Sequence, residues 1–178
     1  MHPVQEFQQP DVSSNSPDAP LAVGLKAPDF TLRTTPDQRV SLSSILGSPI
    51  VLVFYPADWS PVCGDQLALY NELQDVWRKH RAQLLGISVD STWCHVAYAK
   101  DRRLRFPLLS DFEPKGEVAR RYGAYVPQEG VASRALFVID RSGTIAWNYV
   151  APIGINPGAE GIIEALEALA KREEKAHA

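Results

Sequence analysis

Apolar positions along the chain fall into short β-like runs alternating with helical stripes. Phe30 to Arg33 and Val40 to Leu42 flank a Pro36-Asp37 turn and are followed by a small helical segment at Ser43 to Leu46, a pattern that predicts an opening hairpin. Ile50 to Tyr55 reads IVLVFY, the continuous β-branched and aromatic run of a central strand covered on both faces. From Val62 to His80 the apolar Leu67, Tyr70, Leu73 and Trp77 recur at spacings of three and four, which predicts one long helix. Leu84 to Val89, LLGISV, is a second buried-strand run, and Ser91 to Arg102 carries Trp93, Val96 and Ala97 at helical spacing. Phe106 to Leu109 leads to a helix expected over Pro114 to Tyr122, closed by Gly123 as a left-handed cap, and a loop then runs to Ala132. Ala135 to Ile139 and Thr144 to Val150 flank Asp140-Arg141-Ser142-Gly143, a hairpin with a four-residue turn. Asn156-Pro157 reads as cap and first turn of a closing helix whose apolar face is Ile162, Ile163, Leu166, Leu169 and Ala170. The fold class is therefore α/β, with a mixed central sheet flanked by helices.

Residues 1–22 are rich in Pro, Ser, Gln and Asp and read as a disordered tail. Residues 172–178 read as a solvated end, which leaves residues 23–171 as one domain, large enough for a single core. Lys and Arg number 18 against 21 for Asp and Glu, a net charge of −3. No basic excess exists to neutralise a phosphate backbone or an anionic bilayer, so neither nucleic acid nor membrane is an expected partner. The longest apolar stretch, Pro49 to Ala57, falls far short of the ~20 residues a bilayer crossing needs. With neither a positive n-region nor a twin-arginine pattern near Met1, the expected compartment is the cytoplasm, where thiols are kept reduced. Cys63 and Cys94 are the two cysteines, too few for a disulfide scaffold or a structural zinc site. No metal or other cofactor is expected.

The chemistry concentrates in Tyr55-Pro56-Ala57-Asp58-Trp59-Ser60-Pro61-Val62-Cys63, where the first buried strand gives way to the long helix. Ser60 followed by Pro61 marks an N-cap and first helical position, which puts Cys63 at the third. Unpaired N–H groups and the helix dipole favour a thiolate there, and thiol pKa values fall from about 8.5 into the range ~3.5–7.5 in such surroundings. Asp65, one turn on, opposes this mildly. A small buried hydrophobe is the alternative reading of Cys63. Pro56 ends the strand and is also placed to wall the thiol from water.

Pro56-x-x-x-Ser60-x-x-Cys63 resembles the Pro-x-x-x-Thr/Ser-x-x-Cys motif of the peroxiredoxin family, the alkyl hydroperoxide reductase and thiol-specific antioxidant proteins. The likeness continues in family order through Ser88-Val89-Asp90-Ser91 with His95, Phe106 to Asp111, Tyr122-Gly123 and Arg134 to Asp140, covering Gly24 to Leu169. It implies a thioredoxin-like fold with an N-terminal hairpin extension. By the same resemblance Cys63 is the peroxide-reactive cysteine, and Pro56, Ser60 and Arg134 complete the active-site set. Full ionisation of an ordinary thiol gains ~30-fold at most, so the larger factors must come from donors such as Arg134, Ser60 and first-turn N–H groups that hold the peroxide oxygens. From residue type alone Arg134 reads equally as a surface arginine. His95 reads as packing at a helix start, and Trp59 as pocket rim or packing.

Gln66 stands where many relatives carry Glu, three residues after the reactive cysteine, removing a charge beside the site. The chain lacks a cysteine in Lys171 to Ala178 and lacks the Gly-Gly-Leu-Gly and Tyr-Phe pair, and so resembles the one-cysteine and atypical two-cysteine branches. Cys94, 31 residues after Cys63, reads either as a first-turn cysteine packing beside Trp93 and Ala97 or, by resemblance to atypical members, as the resolving thiol that forms a disulfide with Cys63. If Ser91 caps its helix, Cys94 also takes a third helical position on the same sheet edge. Two capped helices hold such thiols beyond the ~7 Å Cα separation a disulfide allows, so closure requires local unwinding. The implied partners are a hydroperoxide substrate and a thioredoxin-like or low-molecular-weight thiol reductant, with a homodimer as the assembly. Two other functions compete. Trp59 to Cys63 reads as WCxxC with its first cysteine replaced, which points to a thioredoxin-type thiol–disulfide oxidoreductase; a peroxide-sensing relay or chaperone is the second.

Overall fold

Strand β3 (Ile50–Phe54) is buried at every position, because the sheet it centres is covered on both faces. In the computed structural model, which describes residues 19–178, it pairs in parallel with β4 (Gln83–Ser88) and antiparallel with β8 (Arg134–Ile139). β4 continues to β5 (Leu108–Ser110), and that to the opening hairpin of β1 (Thr31–Arg33) and β2 (Arg39–Ser41). On the other side β8 pairs with β9 (Ile145–Ala151), giving seven strands in the order β2-β1-β5-β4-β3-β8-β9. The period-two alternation of β3 divides the core. Ile50, Leu52 and Phe54 enter a layer with Phe30, Ile87, Leu109, Tyr122 and Phe137. Val51 and Val53 enter the opposite layer with Cys63, Leu67, Tyr70, Trp77, Tyr98, Ile162 and Leu166. Cys63 is thus part of a packed helix–sheet layer.

The helix expected from Val62 to His80 is broken into α1 (Pro61–Glu72) and α2 (Gln74–Lys79), with Leu73 non-helical at ψ 26°. The cause is a side chain. The indole N–H of Trp77 donates to the Tyr70 carbonyl at 2.7 Å, taking the acceptor that a continuous helix would offer to Gln74 N–H. α3 (Thr92–Arg102) starts as expected at an N-cap Ser91, whose side chain accepts from Cys94 N–H at 3.3 Å. Its buried face is not the predicted one. Trp93, Val96 and Ala97 are exposed, and His95 and Tyr98 are buried, since His95 finds polar partners inside.

The helix predicted from Pro114 shortens to α4 (Glu117–Arg121), fixed by the Asp111 carboxylate, which accepts from Val118 and Ala119 N–H at 3.1 and 2.9 Å. The expected loop before Ala132 contains a small ribbon of β6 (Tyr125–Val126) and β7 (Val131–Ala132). The closing helix α5 (Glu160–Ala176) starts later than Asn156-Pro157 suggested, because Asn156 Oδ1 accepts from Gly158 N–H at 3.0 Å and makes a turn there. Of residues 1–22, read as a tail, 1–18 lie outside the described residues. Leu21 lies along the domain, its N–H 3.1 Å from the Tyr122 carbonyl and its own carbonyl 2.7 Å from Asn148 Nδ2. Among the described residues no helix is long and apolar enough to cross a membrane.

Gly123 ends α4 at φ +63°, and a Cβ there would stand 1.9 Å from the Ala19 carbonyl oxygen. Gly123→Ala therefore combines left-handed strain with a backbone collision, and should cost about 2 kcal/mol or more, lowering Tm by roughly 4–8 °C. Gly154→Ala, where nothing lies within 4 Å, is the matched control. Thermal unfolding followed by circular dichroism checks the pair.

Candidate active site

Cys63 sits at the third position of α1, fully buried, with Pro61 as first helical residue and Ser60 at the N-cap. Ser60 takes the cap backbone conformation, but its hydroxyl makes no capping bond. The hydroxyl and the N–H groups of Val62 and Cys63, which a helix start leaves without intrahelical acceptors, all belong to the same helix end. Gly64 N–H closes the first turn on the Ser60 carbonyl at 2.8 Å. Pro56 is buried just beyond the end of β3. Trp59 carries an uncommon non-glycine φ of 65° and is 49% exposed, its ring edge-on to Tyr98 at 5.0 Å between centroids.

Arg134 is not a surface residue. At the start of β8 it is 1% exposed, and its Nη1 lies 3.5 Å from Cys63 Sγ and 2.7 Å from Gln66 Oε1. Nε and Nη2 both donate to the Ile153 carbonyl, at 2.9 and 2.6 Å. Those are four bonds for five N–H groups. No carboxylate among the described residues pairs with this cation. Because a guanidinium only donates, the Gln66 amide must present its oxygen to it, and Gln66 Nε2 then donates to the Tyr70 hydroxyl at 3.2 Å. Tyr70 in turn donates to the Gly158 carbonyl at 2.8 Å. Burial pushes the Tyr70 hydroxyl up to about 12, keeping it a donor.

Cys94 lies on the neighbouring helix, partly buried, and both cysteines are free. Its Sγ and a carboxylate oxygen of each of Asp58 and Asp90 lie within 4.8 Å of one another. Burial, and next the negative charge of Asp58, push the Cys94 thiol up to about 11. His95 is buried and bridges Asp58 Oδ2 at 2.7 Å and the Leu109 carbonyl at 3.1 Å. Tyr98 places its hydroxyl over the start of α1, 3.6 Å from where a Cβ of Gly64 would stand, and finds no hydrogen-bond partner among the described residues.

The structure thus brings together Cys63, Arg134 and the Ser60 end of α1, with Pro56 at the base of the same loop and Cys94 set apart against two carboxylates. Sequence reasoning missed the parts played by Asp58, Tyr70 and Ile153. A lone aspartate in the apolar loop before Cys63 was the available signal for Asp58. Ile153 contributes only a main-chain carbonyl, which no residue type announces.

The chain matches the AhpC/TSA family model over residues 23–148. It is 33% identical over 163 residues to the chloroplastic 2-Cys peroxiredoxin BAS1 of Hordeum vulgare, covering 85% of this chain and 76% of that protein. To alkyl hydroperoxide reductase E of Mycobacterium tuberculosis it is 39% identical over 126 residues, covering 70% of this chain and 82% of that one. The crystal structure of Enterococcus faecalis AhpC superposes with a TM-score of 0.78 at 30% identity, over 85% of this chain and 94% of that chain.

Replacing Gln66 by Leu leaves an Arg134 N–H and the Tyr70 hydroxyl without their buried partner. We expect Gln66→Leu to lose about 2 kcal/mol of stability, measured as a lower urea midpoint at unchanged slope.

Proposed function

The chain belongs to the AhpC/TSA family; it is a peroxiredoxin, a thiol-dependent peroxidase, and we propose that its turnover runs through Cys63. The observation that carries this reading is the Arg134 guanidinium, buried 3.5 Å from Cys63 Sγ with no carboxylate among the described residues to balance it. A negative charge on Sγ is the counter-charge this cation lacks. In the reaction the thiolate attacks one oxygen of hydrogen peroxide or an organic hydroperoxide. The O–O bond breaks, the attacked oxygen stays on sulfur as a sulfenic acid, and hydroxide or alkoxide leaves and takes a proton. Sulfur is oxidised by two electrons and the peroxide reduced by two.

Negative charge migrates from sulfur to the leaving oxygen in this step, so donors fixed along that path lower its barrier. Arg134 has an N–H beyond its four bonds, and the Val62 and Cys63 N–H groups with the Ser60 hydroxyl complete the donor set. Gln66 and Ile153 fix the guanidinium before any peroxide arrives. Pro56 seals the base of the pocket. The catalytic unit in this reading is residues 23–171.

For the return half we favour an atypical two-cysteine course. Cys94 attacks the Cys63 sulfenic acid, an S–S bond forms and water leaves; a thioredoxin-like dithiol then reduces the disulfide. A one-cysteine course through a low-molecular-weight thiol is the alternative. Either needs a reducing compartment, in our reading the cytoplasm, and the assembly we favour is a homodimer.

Cys63→Ser should abolish peroxide consumption while leaving the circular dichroism spectrum unchanged; retained turnover would sink the assignment. Arg134→Met should slow Cys63 oxidation by more than the ~30-fold that ionisation alone explains near pH 7, measured by stopped-flow at neutral pH. For the return half, one equivalent of peroxide followed by peptide mapping should join the Cys63 and Cys94 peptides with loss of two hydrogens. Sulfenic acid on Cys63 with Cys94 still alkylatable would instead establish the one-cysteine course.

A further inference from the structure

The loop before Cys63 is tied to α3 by hydrogen bonds whose directions fix where the protons are. The Leu109 carbonyl can only accept, so His95 Nε2, 3.1 Å from it, carries a hydrogen. On the other side of the ring, Nδ1 stands 2.7 Å from Asp58 Oδ2. An imidazole protonated at Nε2 alone would aim a lone pair at a carboxylate lone pair across that distance. One further proton therefore lies between the two groups, on Nδ1 with Asp58 ionised or on Asp58 itself. Both side chains are buried, at 1% and 0% exposure, so water cannot take the proton's place.

The rest of the cluster holds Asp58 still. Tyr55 O–H donates to its Oδ1 at 2.7 Å, and its main-chain N–H donates to Asp90 Oδ2 at 2.9 Å. Asp90 also accepts from the Ser88 hydroxyl. The groups facing the pair are thus Tyr55 just past the end of β3, Ser88 from β4, Asp90 from the turn between β4 and α3, Cys94 from the first turn of α3, and the Leu109 carbonyl from β5. No Lys or Arg among the described residues bonds to Asp58, His95 or Asp90. The excess proton is the main source of positive charge in the cluster.

We propose that Asp58 and His95 are positioning residues for the peroxidase site, a one-proton latch that docks the Pro56–Ser60 loop on α3 and must open before Cys94 can reach Cys63. This rests on the reading of Cys63 as the reacting thiol. Two consequences follow from the geometry. Loss of the shared proton to hydroxide sets a lone pair against a carboxylate and opens the latch, so the docked loop is less protected as pH rises. Opening also takes Cys94 out of the burial that, with the neighbouring Asp58 and Asp90, raises its thiol pKa in the docked state, and so readies it for attack as it becomes able to move.

The test is amide hydrogen exchange by mass spectrometry on the reduced full chain, following peptides within Pro56 to Gln66 from pH 6 to 9 and correcting for intrinsic rates. In the wild type the opening constant should rise with pH, approaching tenfold per unit as a one-proton equilibrium requires. Asp58→Asn should abolish that dependence, since the amide can accept from Tyr55 and donate to Nδ1 without a mobile proton. His95→Leu should exchange at least tenfold faster at the low end of the range. A pH-independent wild-type opening constant, the same pH slope in Asp58→Asn, or unchanged protection in His95→Leu would each overturn the latch. Peroxide consumption is measured in parallel: its absence in the wild type overturns the role of Cys63 and leaves the exchange result to judge the latch by itself.

Discussion

A guanidinium that cannot reach water must find its donors' partners inside the protein, and the burial of Arg134 imposes that demand on four separate elements. Leaving a charge this deep unpartnered costs several kcal/mol. The start of β8 carries Arg134 beside the C-terminal end of β3, the segment after β9 returns the Ile153 carbonyl to two of its nitrogens, and α1 supplies Gln66 and Cys63. The chain Gln66–Tyr70–Gly158 then anchors the approach to α5 to the same point. None of these partners carries a full charge except Cys63 when ionised, so the fold that satisfies the cation's hydrogen bonds leaves its charge for the thiol.

The break between α1 and α2 belongs to the same constraint. Tyr70 must place its hydroxyl between Gln66 and Gly158, and Trp77 packs edge-on against its ring with 6.2 Å between centroids while bonding its carbonyl. Continuing the helix through Leu73 would leave the Trp77 indole without that acceptor in a layer where it is buried. The helix carrying Cys63 is therefore short and pinned at both ends. Its N-terminal end faces the left-handed Trp59, a conformation that costs of order 1–3 kcal/mol and persists only when its surroundings hold it. Asp58, immediately before it, is held by Tyr55, Asp90 and His95.

What the sequence discloses and what it conceals divide along physical lines. β3 and β4 were legible because a strand buried on both faces must be apolar without interruption. The Ser60-Pro61 pair placed Cys63 at the third position of its helix, and Ser91 did the same for Cys94, because caps are local chemistry. The face of α3 was misread because burial there follows polar partners: His95 goes inside to Asp58 and Leu109, and Trp93 stays in solvent at 71% exposure. Asn156-Pro157 misplaced the start of α5 because an Asx turn and a helix cap begin with the same residue. Arg134 and Gln66 were visible as residues, but the pairing of the one with the other depends on β8 pairing antiparallel beside β3, the strand that leads into α1, which no local pattern encodes.

Cys63 and Cys94 show how little a shared local position determines. Each occupies the third residue of a helix that leaves the C-terminal end of one of two parallel neighbours, β3 and β4, and each feels a similar helix field. The difference comes from what the neighbouring elements present. Cys63 meets a cation brought by β8, whereas Cys94 meets Asp58 from the loop before Cys63 and Asp90 from the turn between β4 and α3. In the second setting a negative charge on sulfur is opposed: burial, and next the charge of Asp58, push the Cys94 thiol up to about 11. In the two-cysteine course proposed above the asymmetry would order the chemistry, with Cys63 meeting peroxide first and Cys94 gaining nucleophilicity on leaving its buried place beside the carboxylates. Asp58 stands on both sides of that order: it fixes the loop ahead of Cys63 and supplies the charge that restrains Cys94.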